Sequence, residues 1–369
     1  MSEVKKILVV GQTPPPYGGQ ALMIKYMLEA NYKKLILYHV RMNFSREFND
    51  RGKFSLYKVA HLFTVIYNIW LYRFKYNAKI LYYPPSSVPK VAVLRDVIIL
   101  FFTRFLFEKV IYHFHAAGIS ENMLTYNRFL RYIIYSVLDK PDLAITSSMY
   151  NPKDAEYLLA KKTLIIPLGI PDENKCQARL SYAETSYLTI FFMGLLNSEK
   201  GEGYILDAIY KLSKKNFDIR FNIAGKFESL EYKDKFFKKV DEYNLSEKVF
   251  YKGVVSGREK QNLFLSSDVF CYPSFFSSES FGLVLLEGMM YQMPLVTTKW
   301  RGIQSVVEEE NNGFFVEIKN SDQIADVLEK LYVDRNILKE MGDYSRKLFE
   351  KKYTLDMYLS KIEEAFIDI

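Results

Sequence analysis

Short apolar runs alternate with longer amphipathic stretches along the first 170 residues. Runs rich in β-branched and aromatic residues predict strands, and the stretches between them have the length and spacing of helices. The predicted strands lie at residues 6–10, 35–40, 79–83, 110–114, 143–146 and 164–167. Regular alternation of this kind predicts parallel βαβ units with helices on both faces of a sheet.

A second set of predicted strands follows a stretch at 171–187 that is rich in charged and polar residues and predicts a linker. These strands lie at 188–194, 219–225, 249–253, 269–273, 294–298 and 314–317. The pattern predicts an α/β protein with two doubly wound, Rossmann-like domains, 1–170 and 188–351. A ligand would lie in a cleft between the carboxyl ends of their strands.

Length and composition agree with two globular domains. The chain has 369 residues, which exceeds what one hydrophobic core usually serves, and it is 49% hydrophobic and 25% charged. Two distant cysteines, Cys176 and Cys271, indicate neither a disulfide framework nor a zinc site. No signal peptide or membrane span is predicted, so we expect a cytoplasmic protein.

The first predicted strand runs into a proline-rich loop that ends with Gly18 and Gly19, just before a predicted helix. Glycines let a backbone approach a ligand closely and adopt positive φ. The loop is neither G-x-G-x-x-G nor a Walker loop, so it does not predict NAD binding or ATP hydrolysis. A purely structural turn is the alternative interpretation.

Two carboxylates, Glu279 and Glu287, stand eight positions apart in the segment 273–294. The apolar run 283–286 predicts a helix that begins after a tight turn between them. Backbone N–H donors at this helix start would belong to Phe281, Gly282 and Leu283. Such donors suit a phosphate, and the flanking acids suit hydroxyls, so the segment predicts a nucleotide-sugar site.

These residues resemble a known family, the retaining glycosyltransferases of family four. Glu279 and Glu287 occupy the places of its E-x7-E motif, and residues 294–314 are similar to its P-V-V-x-T-x-x-G-G-I-x-E-V-V-x-x-x-x-N-G segment. Residues 191–201, which include Gly194 and Lys200, are similar to its G-R-L-x-x-x-K-G signature. Isolated glutamates and a lone lysine are usually surface residues, but three motifs in order favour the resemblance.

The resemblance implies a GT-B fold in which a C-terminal helix, 352–369, packs back on an acceptor-binding N-terminal domain. The nucleotide sugar would bind the C-terminal domain. The resemblance implies that Lys200 and the Gly18–Gly19 loop contact the donor diphosphate, and that Glu279 contacts the donor sugar. It also implies that Glu287 contacts the ribose and that the backbone of Gly253 and Val254 contacts the base.

Two histidines, His113 and His115, end a predicted strand. Family members carry a histidine there that contacts the donor sugar, and His115 fits this place better, whereas His113 is expected to be packed. A metal site on the two rings is disfavoured, because no carboxylate stands nearby in sequence.

The mechanism that the resemblance implies is retaining transfer, in which the acceptor hydroxyl attacks on the face that the diphosphate leaves. Charge grows on the phosphate, so catalysis requires preorganised cations and N–H dipoles, here Lys200 and the helix start. Glu279 would position the sugar and would not act as a nucleophile. The sequence contains no D-x-D triplet, so we expect no metal cofactor.

The chain departs from the family pattern at two places. Leu195 replaces the signature's arginine, and Ser305 replaces the usual glutamate of the downstream segment. Arg301, where a glycine is common, is a candidate for the missing cation. These changes leave the donor open, with a UDP-sugar favoured over GDP-mannose and either a hexose or an N-acetylhexosamine transferred.

The formal charge of +7 permits an anionic partner. Basic residues alternate with aromatic ones in the N-terminal half; they are Arg51, Lys53, Lys58, Arg73, Lys75, Lys79, Arg95, Arg104 and Lys109. This pattern suits helices lying on the inner face of an anionic membrane, and it equally suits core helices with snorkelling lysines. Membrane contact would favour a lipid-linked saccharide acceptor, used in surface polysaccharide or glycolipid synthesis.

The sequence also bears on other partners and activities. No recognised nucleic-acid module is present, so nucleic acid is not expected as a partner. A nucleotide-sugar epimerase of the same fold and a non-catalytic nucleotide-sugar-binding protein are the rival interpretations.

Overall fold

The computed structural model describes residues 4–44, 56–174 and 186–369. Cys176, Arg51, Lys53 and most of the predicted linker 171–187 lie outside the described residues. The chain forms two compact units. The first comprises Met1–Leu168 and Leu355–Ile369, and the second comprises Gly169–Thr354.

The first unit contains one parallel sheet and its flanking helices. Its strands are β1 (Lys5–Gly11), β2 (Leu35–Arg41), β3 (Ile80–Tyr83), β4 (Lys109–Phe114), β5 (Leu143–Thr146) and β6 (Thr163–Ile165). Its helices are α1 (Gly19–Glu29), α2 (Leu56–Lys75), α3 (Lys90–Thr103), α4 (Ile119–Met123), α5 (Arg128–Leu138) and α6 (Asp154–Tyr157), with a 3-10 turn at Arg104–Leu106. The strand order is β2-β1-β3-β4-β5-β6.

Apolar side chains of these strands form the core of the first unit. Leu8, Leu81 and Tyr112 are completely buried in it, together with residues of the covering helices. Helix α3 contacts both α2 and α5, so the three form one layer beside the sheet. Asn127 caps α5 by accepting a hydrogen bond from the N–H of Leu130.

The second unit contains a second parallel sheet. Its strands are β7 (Leu188–Met193), β8 (Ile219–Ala224), β9 (Val249–Tyr251), β10 (Val269–Tyr272), β11 (Leu295–Thr298) and β12 (Gly313–Val316). Its helices are α7 (Glu202–Lys214), α8 (Leu230–Glu242), α9 (Gly257–Leu265), α10 (Leu283–Met290), α11 (Ser321–Val333) and α12 (Arg335–Lys352), with a 3-10 turn at Arg301–Ser305. The strand order is β12-β11-β10-β7-β8-β9.

Each sheet has a point where the strand order reverses, called here the switch point. In the first unit this point lies between β1 and β3, and in the second it lies between β7 and β10. Chain connections leave such a point toward opposite faces, which opens a crevice at the carboxyl ends of the strands. The prediction of two doubly wound α/β sheets is therefore confirmed, and candidate site residues are expected beside these two points.

The last helix, α13 (Leu355–Ile367), belongs to the first unit. Its Phe366 is buried and packs with Tyr82, with ring centroids 5.8 Å apart. The helix begins later than the predicted residue 352, because the carbonyl of Tyr353 accepts a hydrogen bond from the N–H of Ile170 instead of a helical partner. Across the described residues, no helix is long and apolar enough to cross a membrane.

Candidate functional site

A tight loop after β7 brings Lys200 to the end of β10. The N–H of Lys200 donates to both the carbonyl and the side-chain oxygen of Asn197, at 3.0 and 3.1 Å. Gly201 follows with a φ of 94°, and a Cβ at this position would lie 2.5 Å from the carbonyl oxygen of Pro273. Only glycine permits both the positive φ and this close approach, so the Lys-Gly pair of the sequence motif has a steric cause.

Lys200, Tyr272 and Glu279 form a hydrogen-bonded cluster beside the switch point of the second sheet. The ammonium Nζ of Lys200 lies 2.6 Å from Oε2 of Glu279 and 2.8 Å from Oη of Tyr272. Tyr272 Oη donates to the same Glu279 oxygen at 3.0 Å. The lysine also lies 4.4 Å from the ring centroid of Phe276. The predicted pair of Lys200 and Glu279 is thus brought together, and Tyr272 is a member that sequence reasoning missed.

The cluster holds fixed charges and does not titrate near neutral pH. Burial alone would lower the pKa of Lys200, but the Glu279 carboxylate raises it above its usual value. Burial likewise acts to raise the pKa of Glu279, and Lys200 lowers it below its usual value. The pKa of Tyr272 is raised, chiefly by burial. A cation, an anion and a neutral hydroxyl therefore persist together.

Helix α10 begins beside this cluster. Gly282 caps it with a φ of 79°, and the N–H of Gly282 donates to the Glu279 carboxylate. Leu283 is the first helical residue, and the side chain of Phe281 is buried against Tyr353, so Phe281 offers only its backbone. The three predicted N–H donors do lie at a helix start, but the N–H of Gly282 already has an acid partner in this structure.

The second predicted acid, Glu287, has its own lysine. Lys260 on α9 places Nζ 3.0 Å from Oε2 of Glu287 and 3.6 Å from a carboxylate oxygen of Glu173. Burial raises the pKa of Glu287, and Lys260 offsets part of that effect. Sequence reasoning missed Lys260, because nothing in the pattern of α9 distinguishes it from a surface lysine.

Glycines follow three adjacent strands of the second sheet. Gly194 follows β7, Gly225 follows β8 and Gly253 stands just beyond β9. A Cβ at Gly225 would lie 1.8 Å from the Gly194 carbonyl oxygen, and the Gly225 N–H donates to the Gly253 carbonyl at 2.6 Å. The backbones of Gly194 and Gly253, two predicted donor-binding residues, thus both contact Gly225 at the carboxyl edge of the sheet. Val254, the predicted base contact, follows Gly253, and its side chain is 76% exposed.

The proline-rich loop of the first unit follows β1. The Arg41 guanidinium holds this loop by donating to the carbonyls of Thr13, Pro14 and Pro15 at 2.9–3.1 Å. Gly18 is the N-cap of α1 with a φ of −172°, and Gly19 is the first helical residue. Gly18 does not use the positive φ that glycine can adopt, because its extended conformation is open to any residue. The predicted role of Gly18 and Gly19 at the diphosphate stays a prediction.

His113 and His115 share one tyrosine at the end of β4. Tyr82 Oη lies 2.9 Å from Nδ1 of His113 and 3.0 Å from Nε2 of His115, and the two imidazole centroids are 3.9 Å apart. Burial lowers the pKa of His115 to about 3 and that of His113 well below its usual value. Both rings are therefore neutral at physiological pH. Sequence reasoning missed Tyr82, which lies on the adjacent strand β3.

A cavity of about 210 Å³ opens at the carboxyl ends of β4, β5 and β6 in the first unit. Its neutral polar lining includes Thr146, Ser148 and Asn151, and its apolar lining includes Phe114 and Met149. Three charged residues also line it; they are Lys153, Asp154 and Glu156. The Asn151 amide donates to the hydroxyls of Thr146 and Ser147 at 3.4 and 3.1 Å. Hydroxyl and amide groups beside apolar rings can bind a neutral polar molecule such as a sugar.

Arg301, the candidate for the missing cation, lies in a 3-10 turn of the second unit. Arg301 begins its 3-10 turn with a φ of 44°, and its guanidinium lies 5.4 Å from the Trp300 ring centroid. Its suggested contact with phosphate stays a prediction. Among residues 4–44, 56–174 and 186–369, no group of three or more His, Cys, Asp and Glu side chains could hold a metal ion. Cys271 is a free, buried thiol in β10.

The fold and this site define a class: a two-domain GT-B protein with a lysine, an acid and a helix start at one switch point. Comparison with protein families agrees, since residues 179–348 match the model of glycosyl transferases group 1. This part of the chain is thus similar to a glycosyltransferase family, and the predicted resemblance is confirmed.

Similar proteins give the same picture. The chain is 25% identical to an uncharacterized glycosyltransferase of Methanocaldococcus jannaschii over 64% of this chain and 57% of that one. It is 21% identical to the capsular polysaccharide biosynthesis glycosyltransferase CapM of Staphylococcus aureus, over 76% of this chain and 75% of CapM. The matches to the first three curated relatives span 46–63% of their lengths.

Solved structures share the fold of the whole chain. The crystal structure of Anabaena HepE in complex with UDP and glucose aligns with a TM-score of 0.74 at 15% identity, covering 99% of this chain and 100% of that one. The sucrose-phosphate synthase of Thermosynechococcus elongatus aligns with a TM-score of 0.73 at 15% identity, covering 98% of each chain. At this identity the likeness shows the fold alone.

Proposed function

We propose that this chain is a retaining, metal-independent glycosyltransferase that moves a hexose or N-acetylhexosamine from a nucleotide diphosphate sugar to a saccharide acceptor. A single observation carries the proposal. A permanently charged lysine, a permanently charged acid and the start of α10 meet beside the switch point of the second unit. This arrangement offers a cation and backbone donors for a diphosphate and an acceptor group for sugar hydroxyls.

Lys200 acts by charge and not by proton transfer. Its raised pKa keeps it an ammonium at any physiological pH, so it can stabilise the negative charge that grows on the departing diphosphate. The neutral Tyr272 hydroxyl, whose pKa is also raised, holds both partners in place. Because Leu195 stands where family members have a second cation, the stabilisation of the diphosphate charge depends more on Lys200 in this chain.

Glu279 is a positioning residue in this proposal. Its lowered pKa keeps it a pure hydrogen-bond acceptor, which suits two neighbouring sugar hydroxyls. It donates no proton, so the acceptor's proton passes to an oxygen of the leaving diphosphate on the same face of the sugar. Glu287, with Lys260, is proposed to accept hydrogen bonds from the ribose hydroxyls.

The donor is proposed to be a UDP-sugar, with GDP-mannose as the alternative. Anabaena HepE, a structural neighbour, was solved with UDP and glucose, which supports testing UDP-glucose first. The acceptor is proposed to be a saccharide, in the lipid-linked form used for surface polysaccharide or glycolipid synthesis. CapM, a relative named for capsular polysaccharide biosynthesis, supports this class. The hydroxyl-lined cavity of the first unit is our candidate acceptor subsite.

Calorimetric titration of the purified chain with UDP, GDP, UDP-glucose, UDP-N-acetylglucosamine and GDP-mannose tests the donor. We expect saturable binding of one nucleotide series, with an unchanged affinity when EDTA is present. Lys238→Met, at a lysine whose side chain is 78% exposed on α8, is the matched control for Lys200→Met. Equal affinities in wild type and Lys200→Met would remove the basis of the proposal.

Product analysis separates the rival activities. Incubation of a labelled donor with a lipid extract should give a labelled glycolipid whose anomeric configuration matches the donor. Inversion at a sugar carbon without any acceptor would identify an epimerase. Binding without turnover, over a full panel of donors and extracts, would identify a non-catalytic nucleotide-sugar-binding protein.

A further inference from the structure

The outward face of α2 is aromatic. Phe63, Tyr67 and Phe74 are 62–65% exposed and Trp70 is 38% exposed. Their spacing of four, three and four residues places them on one stripe of the helix, opposite the buried Val65. A helix that covers a sheet normally has polar residues on the face that contacts water, whereas here aromatic residues occupy that face.

The neighbouring helix continues the same surface. On α3 and its 3-10 turn, Phe101 and Phe105 are 62% and 68% exposed. The rings of Trp70 and Phe105 are 5.7 Å apart, and the indole N–H of Trp70 donates to the Phe102 carbonyl at 3.0 Å. The two stripes therefore form one patch, called here the aromatic face. It consists of Phe63, Tyr67, Trp70, Phe74, Phe101 and Phe105.

Positive charge surrounds the aromatic face almost without acids. Residues 56–109 contain eight lysines and arginines but two acids, Asp96 and Glu108, and Glu108 pairs with Lys79 at 2.7 Å. Asp96 is 1% exposed and is bound by Arg95 at 2.6 Å and by the Tyr83 hydroxyl at 2.8 Å, so it offers no charge to solvent. Lys75 remains exposed at the end of α2, next to Phe74.

We propose that the aromatic face binds the surface of a membrane that contains anionic lipid. Aromatic rings partition into the boundary between headgroups and acyl chains, and lysines and arginines are attracted to anionic headgroups. A second copy of this chain is a poorer occupant, because cations outnumber acids around this face and a twofold contact would place cations against cations. The proposal concerns the first unit and holds whether or not the chain transfers a sugar.

Vesicle flotation tests the membrane proposal. The full chain is mixed with vesicles of phosphatidylcholine alone or of phosphatidylcholine with phosphatidylglycerol, and we expect binding to the anionic vesicles that weakens as salt rises. The combined change Phe63→Gln, Phe74→Gln, Phe101→Gln and Phe105→Gln should weaken binding at least tenfold. Lys75→Gln should weaken it about fivefold, on the basis of ~1 kcal/mol for each surface cation.

A matched control removes exposed apolar groups elsewhere. Leu230 and Val333 are 79% and 73% exposed in the second unit, and Leu230→Gln with Val333→Gln should leave vesicle binding unchanged. Equal flotation of the control and the aromatic variant, or no flotation of the wild type at low salt, would overturn the proposal. A chain that dimerises through the aromatic face without lipid, and becomes monomeric in the aromatic variant, would also overturn it.

Tryptophan fluorescence provides a second measurement of lipid binding, made on the wild-type chain with its aromatic face unaltered. The chain has two tryptophans, Trp70 and Trp300, and only Trp70 belongs to the aromatic face. Lipids brominated in the upper acyl chain should quench the wild-type emission on binding. The Trp70→Phe variant, in which Trp300 is the remaining emitter, should show little quenching. Equal quenching in both proteins would place the lipid away from this face.

Discussion

The two units place chemically opposite groups at equivalent positions of their sheets. Beside the switch point of the second unit, Lys200 and Glu279 are a charged pair under the start of α10. Beside the switch point of the first unit, Tyr82, His113 and His115 form a neutral hydrogen-bonded set. Both sets lie at the carboxyl ends of parallel strands, so the fold does not decide which is charged.

The difference follows from what each side chain touches. Lys200 keeps its charge because an acid lies 2.6 Å away, whereas the two histidines face each other and a tyrosine, so that burial leaves them neutral. A fixed cation suits a diphosphate, and neutral rings with N–H and N acceptors suit sugar hydroxyls. The two kinds of group should therefore differ in their effects on binding, catalysis and pH dependence.

Loss of the charged pair should have the largest effect. In our proposal Lys200→Met removes the cation that faces the growing negative charge, so we expect kcat to fall about 100- to 1000-fold, as for other lost transition-state donors. UDP affinity should fall as well. The variant also leaves Glu279 buried without its lysine, which should lower the free energy of unfolding by about 3 kcal/mol. Steady-state kinetics and urea unfolding measure the two effects.

A double variant separates catalysis from stability. In Lys200→Met with Glu279→Gln, no charge is left buried alone, so most of the lost stability should return while kcat stays low. If kcat recovers together with stability, then Lys200 serves the fold and not the leaving diphosphate.

A different acid of the second unit should make stability depend on pH. Glu202, the first residue of α7, is fully buried, and burial raises its pKa from 4.5 to about 8. Between these values the native state holds a proton that the unfolded state has released, so stability falls as pH rises. From pH 5 to pH 7 the loss should be about 2.5 kcal/mol.

Glu202→Gln should abolish this slope, because glutamine does not titrate. Glu231, an exposed acid in the first turn of α8, gives the matched control Glu231→Gln, which should keep the slope of the wild type. Urea unfolding at a series of pH values measures both. An unchanged slope in Glu202→Gln would mean that its carboxyl is ionised in the native state.

Sequence reasoning captured the fold and the motif residues for physical reasons. Buried strands of parallel sheets are short apolar runs, which are visible without a structure, and Gly201 marks a turn that only glycine can make. Lys200 and Glu279 were predicted by motif spacing. Tyr272 and Lys260 were missed because contacts between distant segments leave no local pattern in a tyrosine-rich, lysine-rich chain.

The start of the last helix differs from its prediction. It was expected from residue 352, but α12 continues to Lys352 and α13 begins at Leu355. Between the two helices, the Tyr353 carbonyl accepts a hydrogen bond from the N–H of Ile170. This partner lies far away in sequence, so no local pattern predicts the contact.

The neutral histidines should reverse the pH trend of Glu202. Burial lowers the pKa of His115 from 6.5 to about 3, so between these values the unfolded state binds a proton that the native state does not. Stability contributed by the neutral ring is therefore lost as pH falls, by about 2 kcal/mol between pH 7 and pH 5. His115→Asn should remove this part of the loss. If wild type and variant differ by the same amount at both pH values, then the pKa of His115 is the same in the native and unfolded states.

The smallest effect is expected from a single hydroxyl. Tyr82→Phe keeps the ring against Phe366 but removes the oxygen that joins the two imidazoles, so we expect a loss of about 1–2 kcal/mol in stability. Tyr112 gives the matched control Tyr112→Phe, since its buried hydroxyl has no hydrogen-bond partner among the described residues and its removal should be nearly neutral. Because UDP binds the second unit in our proposal, Tyr82→Phe should leave UDP affinity unchanged and raise KM for the nucleotide sugar. A loss of UDP affinity in Tyr82→Phe as large as in Lys200→Met would contradict the division between charged and neutral sites.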